Sequence, residues 1–189
     1  CAINNQQINE VASRLPDLAE RTRRVFGPNH LWTLDADRAT GVVLMFQGRI
    51  DDAERIFLDV LARLLVHGDD DALHIRTLRN LVRVGRIRGS GSDTSTRSAI
   101  AAQIEPLARE QMERATRAYG ASSLIALDAR IDWAEILVDQ HQYGPAIDAS
   151  RAVLESASDR LGACHHLRME AMEVLADATH AMGDSGAAA

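Results

Sequence analysis

"ATGVVLMFQGRIDDAERIF" (residues 39–57) and "DWAEILVDQHQYGPAIDAS" (residues 132–150) align without a gap. Gly41 falls on Ala134, Leu44 on Leu137, Gln47–Gly48 on Gln140–His141, Ile50 on Tyr143 and Ala53 on Ala146. A small residue in a first helix, a turn at Gly48 or His141, and an alanine in a second helix describe two antiparallel helices in close approach. Val82, Gly85 and Gly89 enter in the same register, as do Ala176, Thr179 and Gly183. The unit that decides the fold is thus a helix hairpin that repeats.

Outward from these hairpins, four segments share a glycine, a polar linker and the start of a helical pattern. They are "FGPNHLWTLD" at Gly27, "HGDDDALHIR" at Gly68, "YGASSLIALD" at Gly120 and "LGACHHLRME" at Gly162, spaced 41, 52 and 42 residues apart. The long middle interval reads as a 42-residue unit carrying an insert, "GSGSDTSTRS" (89–98), whose composition is that of a flexible loop. Each glycine sits where a helix should end, at the left-handed position that glycine adopts without strain.

The pattern small-x-x-Leu-x-x-x-Gly-x-aromatic/aliphatic-x-x-Ala resembles a tetratricopeptide repeat. The 42-residue period with "GPNH" (27–30) and "GACH" (162–165), and Asn80–Leu81 inside a first helix, resembles the kinesin-light-chain-like subclass, in which a Gly-x-x-His linker precedes each first helix. Similar repeats form the C-terminal arrays of bacterial regulators with a nucleotide-binding switch domain, including antibiotic regulatory proteins of actinobacteria. The resemblance covers residues 12–183. It departs from the pattern in lacking a proline after the linker histidine, in the insert, and in placing Asp71 and Ser123 where the linker histidine belongs. It implies an all-α, right-handed superhelical solenoid of antiparallel helix hairpins, with the first helix of each unit lining a concave groove.

The helix map follows as a single array over 1–189: a partial helix at 12–26 with Pro16 near its first turn, repeats at about 27–67, 68–119 and 120–161, a partial repeat at 162–183, and a frayed tail at 184–189. Helices are expected at 32–47, 50–66, 73–88, 98–118, 124–140, 144–160 and 166–182. A first helix and a second helix without partners imply a cut from a longer array with apolar end faces. Cys1 is read as a truncation point or, alternatively, as a lipidated N-terminus.

Composition sets the boundaries. Of 189 residues, 46% are hydrophobic and only 4% aromatic, which suits helices packed through small side chains and not a β-sandwich. A net charge of −6 argues against direct nucleic-acid binding. No apolar run approaches the roughly 20 residues needed to span a bilayer. Two cysteines, Cys1 and Cys164, make no disulfide framework, so a reducing, cytoplasmic setting is expected.

Against that acidity, "RTLRNLVRVGRIR" (76–88) concentrates five arginines. With Gly41, Val82, Ala134 and Ala176 as equivalent packing points, helical spacing assigns groove-facing positions in each unit. They are Asp35, Arg38, Val42, Met45 and Phe46; Arg76, Arg79, Arg83, Arg86 and Ile87; Asp128, Ile131, Glu135, Val138 and Asp139; and Glu170, Glu173, Asp177 and His180. Leu78, Leu81, Val82 and Gly85 form the buried side of the arginine helix. Two readings stand together: Arg79, Arg83 and Arg86 pair laterally with Asp128, Glu135 and Asp139, or the guanidinium forks hold an acidic or C-terminal carboxylate of a peptide, with Met45 and Phe46 supplying an apolar pocket.

Catalytic chemistry finds little support. There is no phosphate-binding Gly-x-x-x-x-Gly-Lys-Ser/Thr loop and no spacing that argues a Ser–His–Asp or Cys–His arrangement. "CHHLRME" (164–170) lacks the second cluster that zinc needs, and the resemblance makes His165 a linker residue that supports the helix start. "DDD" (69–71) suits a helix N-terminus. Trp32 and Trp133 are expected to point toward packing partners. The expected function is a non-enzymatic protein- or peptide-binding scaffold without cofactor, metal or membrane contact. Self-association through the array ends and a small-molecule sensor near Met45 and Phe46 are the alternatives.

Overall fold

Helix starts in this chain are fixed by side chains that accept the otherwise orphaned amides of the first turn. His30 Nδ1 accepts from the Trp32 amide at 3.2 Å. Asp70 Oδ1 accepts from Leu73 at 2.7 Å, Ser123 Oγ from Ala126 at 3.2 Å, and His165 Nδ1 from Leu167 at 3.3 Å. The linker role that the resemblance gives to His165 is thus seen as a cap, and in the repeat expected at 68–119 the cap is Asp70, one residue before the expected Asp71. Gly27 and Gly120 precede two of these caps at φ +88° and +85°, as expected. Gly68 and the residues either side of Gly162 lie outside the described residues.

The computed structural model describes residues 5–67, 70–157, 162 and 165–187. Among these are eight α-helices and no strand: α1 (Asn5–Phe26), α2 (Leu31–Phe46), α3 (Ile50–His67), α4 (Asp71–Gly89), α5 (Thr94–Tyr119), α6 (Leu124–Asp139), α7 (Tyr143–Ala157) and α8 (His166–Ala187). The fold is all-α, built from helix hairpins. Contacts gather into two units, residues 1–84 and 85–189, with the division inside α4.

In the first unit, α2 packs on α1 and α3. Leu34, Val60, Leu64 and Leu73 close a core at its centre, with Ile56 against it. Each such leucine contributes about 2 kcal/mol by leaving water. Gly41 is required here because a β-carbon would stand 2.5 Å from Cε1 of the fully buried Phe57. In the second unit, α6 packs on α5, α7 and α8. Its core joins Leu127, Ile131, Ala134, Ala149, Val153, Leu167, Ala171 and Val174. The aligned hairpins reverse their sizes: Ala134 and Ser150 stand where Gly41 and Phe57 stand in the first. The α4–α5 approach is at Gly85, where a β-carbon would clash with Ile104 Cγ2. Val82, chosen from the sequence as the packing point, is buried but lies one turn earlier.

The two aligned turns share one hydrogen-bond pattern. Arg49 N donates to Leu44 O (2.9 Å) and Gly48 N to Met45 O (3.1 Å); Gln142 N donates to Leu137 O (2.8 Å) and His141 N to Val138 O (2.9 Å). This is the paired closure of a Schellman motif. It requires a left-handed residue, which is Gly48 at φ +76° in one turn and His141 at φ 60° in the other.

Three boundaries differ from the sequence expectation. The helix expected at 12–26 starts at Asn5, so Pro16 lies inside α1 and forfeits one helical hydrogen bond there. The second half of the 89–98 insert, from Thr94, is the start of α5, because Asp93 Oδ1 caps the Thr96 amide at 2.9 Å and its other oxygen accepts from the Thr96 hydroxyl. The extra residues lengthen the hairpin, α4 reaching 19 residues and α5 26, against 16 in α2 and α6. The tail expected to fray from 184 continues α8 to Ala187, consistent with cooperative extension of an established helix.

Candidate functional site

The arginine helix divides into two environments. In the first unit, Leu73, His74, Thr77, Leu78, Leu81 and Val82 of α4 are buried, and the helical repeat leaves Arg76, Arg79 and Arg83 exposed. The α2 face beside them carries Asp35, Arg38 and Phe46. Arg38 Nε donates to Asp35 Oδ1 at 2.8 Å, and Arg76 Nη2 stands 3.8 Å from the same oxygen. The Arg83 guanidinium lies 5.7 Å above the centre of the Phe46 ring, a cation–π contact contributing about 0.5–1 kcal/mol at an exposed site. Phe46 is 45% exposed. Met45 is not part of this surface: it is 6% exposed and belongs to the core, because the turn carries its side chain to the hairpin interior. A sensor pocket built on Met45 would have to open that core.

In the second unit the stripe meets acids. Arg86, from the last turn of α4, forms a salt bridge through Nη1 to Glu135 Oε2 of α6. Of the lateral pairs expected from the sequence, this one is present, whereas Arg83 engages Phe46. Burial pushes the Glu135 carboxyl up to about 7 in spite of Arg86, and the neighbouring charges of Asp132 and Glu170 add to the rise. Asp139 is also raised by burial, opposed by the charges of Arg97, Arg86 and His141. Ile131, expected to face a groove, is 3% exposed and sits in the core.

Sequence reasoning missed several participants. Asp132, one turn before Glu135, accepts from Gln111 Nε2 of α5 at 3.1 Å, and Gln111 is 1% exposed. The i, i+3 spacing of Asp132 and Glu135 signalled a shared face, whereas no local pattern marks Gln111. Arg97, from the insert, reaches the field of Asp139 because the insert is helical. Trp133 does face a packing partner, donating from Nε1 to Glu105 Oε1 at 2.9 Å. Trp32 does not. It is 65% exposed in an aromatic group with Phe26 (centroids 5.2 Å apart) and His30 (6.2 Å), held at the cap rather than in the core.

Among the described residues, no group of three or more His, Cys, Asp or Glu is arranged to hold a metal ion. Cys164 of "CHHLRME" and Asp69 of "DDD" lie outside them. No described helix is long and apolar enough to cross a membrane.

No family model and no curated protein matches the chain. Solved structures do. The kinesin light chain nearly identical TPR-like repeats of Podosopora anserina match with a TM-score of 0.75 at 15% identity, over 95% of this chain and 81% of that one. A single-substitution variant of the same protein matches equally. BtubC (BKLC) from P. vanneervenii matches with a TM-score of 0.51 at 12% identity, over 94% of this chain and 85% of that one. At these identities the likeness is one of fold, and the fold is that of a TPR-like helical repeat.

Proposed function

We propose, from the TPR-like fold as premise, that the chain is a non-enzymatic protein-binding module whose α2–α4 face takes an acidic or carboxylate-bearing peptide segment. The observation that carries this is the meeting of Arg38 and Arg76 at Asp35 and of Arg83 at the exposed ring of Phe46, with Arg79 exposed on the same helix. Guanidinium groups present paired N–H donors in the geometry of a carboxylate, and an adjacent exposed ring accepts an apolar neighbour of that carboxylate. Arg86, already engaged by Glu135, positions that acid and is not an anchor for the same ligand. The reading carries with it a cytoplasmic setting within a bacterial regulatory protein, with no cofactor and no direct nucleic-acid contact.

A peptide array probed with the parent protein and with Arg79→Glu and Arg83→Glu tests it. Each substitution should weaken capture of acidic peptides about tenfold, the loss of one charge-assisted pair. Unchanged capture of every acidic peptide would remove the arginines from the site.

A second reading is self-association. It is favoured by α8, which exposes Met169, Met172 and Met182 at 59%, 56% and 52%. Apolar association persists or strengthens at high salt, whereas binding through the arginines weakens. Sedimentation velocity across salt concentrations separates the two.

A further inference from the structure

Two arginines from different helices meet one oxygen of Asp35. Arg38 Nε of α2 donates to Oδ1 at 2.8 Å, and Arg76 Nη2 of α4 stands 3.8 Å from the same atom. Both guanidiniums are held in place: the Arg38 side chain is only 16% exposed, and Arg76 Nε donates to Ala72 O one turn back at 3.1 Å. Guanidiniums fixed in this way lose little freedom when an anion arrives. The group they already hold is a carboxylate, 42% exposed and open to competition from another. Arg83 is placed differently. It lies over the Phe46 ring and pairs with no acid among the described residues.

We infer that this arginine face has two seats for anions and that Asp35 is the built-in occupant of one of them, which makes Asp35 the residue that sets ligand specificity. This rests on the acidic-peptide reading and adds what that peptide must carry. One seat is Arg83 with Phe46, open to a carboxylate and its apolar neighbour. The other is Arg38 with Arg76, which a ligand gains only by displacing Asp35. At a helical rise of about 1.5 Å per residue, the seats lie about 10 Å apart from Arg76 to Arg83 on α4, and about 16 Å apart from Asp35 to Phe46 on α2. An extended segment rises about 3.3 Å per residue, so acids about three to five positions apart span that distance.

Competition at the second seat favours Asp35 by proximity and opposes it by exposure. Asp35 and Arg38 are an i, i+3 pair on one helix, so their contact re-forms whenever the seat empties, whereas a ligand's second acid has to be brought there. An exposed pair of this kind resists displacement only weakly, by a factor of up to about five. Asp35 therefore trims the advantage of a second acid without abolishing it.

The experiment is fluorescence anisotropy of the full chain with two labelled, capped peptides in roughly tenth-molar salt. One is Phe-Glu-Ser-Ser-Ser-Glu-Phe, and the other has its second Glu replaced by Gln. The readout is the ratio of the two affinities. In Asp35→Asn the ratio in favour of the two-acid peptide should rise about threefold to fivefold over the parent, and Asp35→Ala should raise it likewise. Deleting a negative charge without emptying a seat would lift both affinities and leave the ratio where it was. Arg76→Gln combined with Asp35→Asn should return the ratio most of the way to the parent value, because the seat has lost one of its two arms. An unmoved ratio in both Asp35 variants, or a raised ratio that survives Arg76→Gln, would overturn the role of Asp35 and leave the acidic-peptide reading standing. Failure of the parent and every variant to bind either peptide would overturn both.

Discussion

Glu135 is a carboxylic acid paired with an arginine that still ionises only near neutrality. Its folded value, about 7, lies above the ordinary 4.5, so its contribution to stability is fully present below pH 4.5 and is lost as pH rises through 7. The loss is at most on the order of 3 kcal/mol. Glu135→Gln should therefore match the parent at pH 4.5 and exceed it by about 1–3 kcal/mol at pH 8, in urea unfolding across that range. A parallel pH dependence in both proteins would contradict the assignment. The turns offer a second residue-scale case. Gly48 at φ +76° has open space around its α-carbon, so Gly48→Ala is opposed by backbone strain alone and should cost about 1 kcal/mol in thermal unfolding. His141 bears that conformation at the equivalent turn, where its Nδ1 meets the Tyr143 hydroxyl at 2.7 Å and the two rings lie edge to face.

Whether a stretch is loop or helix can rest on one side chain. "GSGSDTSTRS" has the composition of a linker, yet Asp93 turns its second half into the first turn of α5. Hydrogen bonds from the Thr96 amide and hydroxyl hold the Asp93 carboxyl below the usual carboxylate range. Asp93→Ala should shorten α5 at its start, seen as faster amide exchange at Thr96 and Arg97, while Asp93→Asn should preserve the helix. In the first hairpin, Gly41→Ala should cost about 1–3 kcal/mol by overpacking against Phe57, and adding Phe57→Leu should return part of it. Hairpins, turns and caps were legible because each depends on residues adjacent in sequence. Met45 and Ile131 were not: helical spacing gives a face but not which neighbour covers it. Trp32 misled for a related reason, since the cap turns its ring out beside Phe26 and His30.

Across the whole molecule, a net charge of −6 conceals local groupings of opposite sign. In the first unit Arg83 lies over Phe46; in the second Arg86 pairs with Glu135, whose field includes Asp132 and Glu170. Binding of an acidic peptide should weaken markedly between roughly 0.05 and 0.5 M salt, and an isothermal titration series would reveal a salt-independent affinity if the arginines were not involved. The sequence made the opposite signs visible, but not the burial that pushes Glu135 up or the hydrogen bond from Gln111 to Asp132, both of which arise from contacts distant in the chain. The opposed pairs Gly41/Phe57 and Ala134/Ser150 bear on redesign. A consensus formed column by column would unite Ala with Phe at this contact and jam a hairpin that neither parent jams. The transferable module is the matched pair of helices, so grafting or shuffling should cut in the linkers and carry each hairpin across intact.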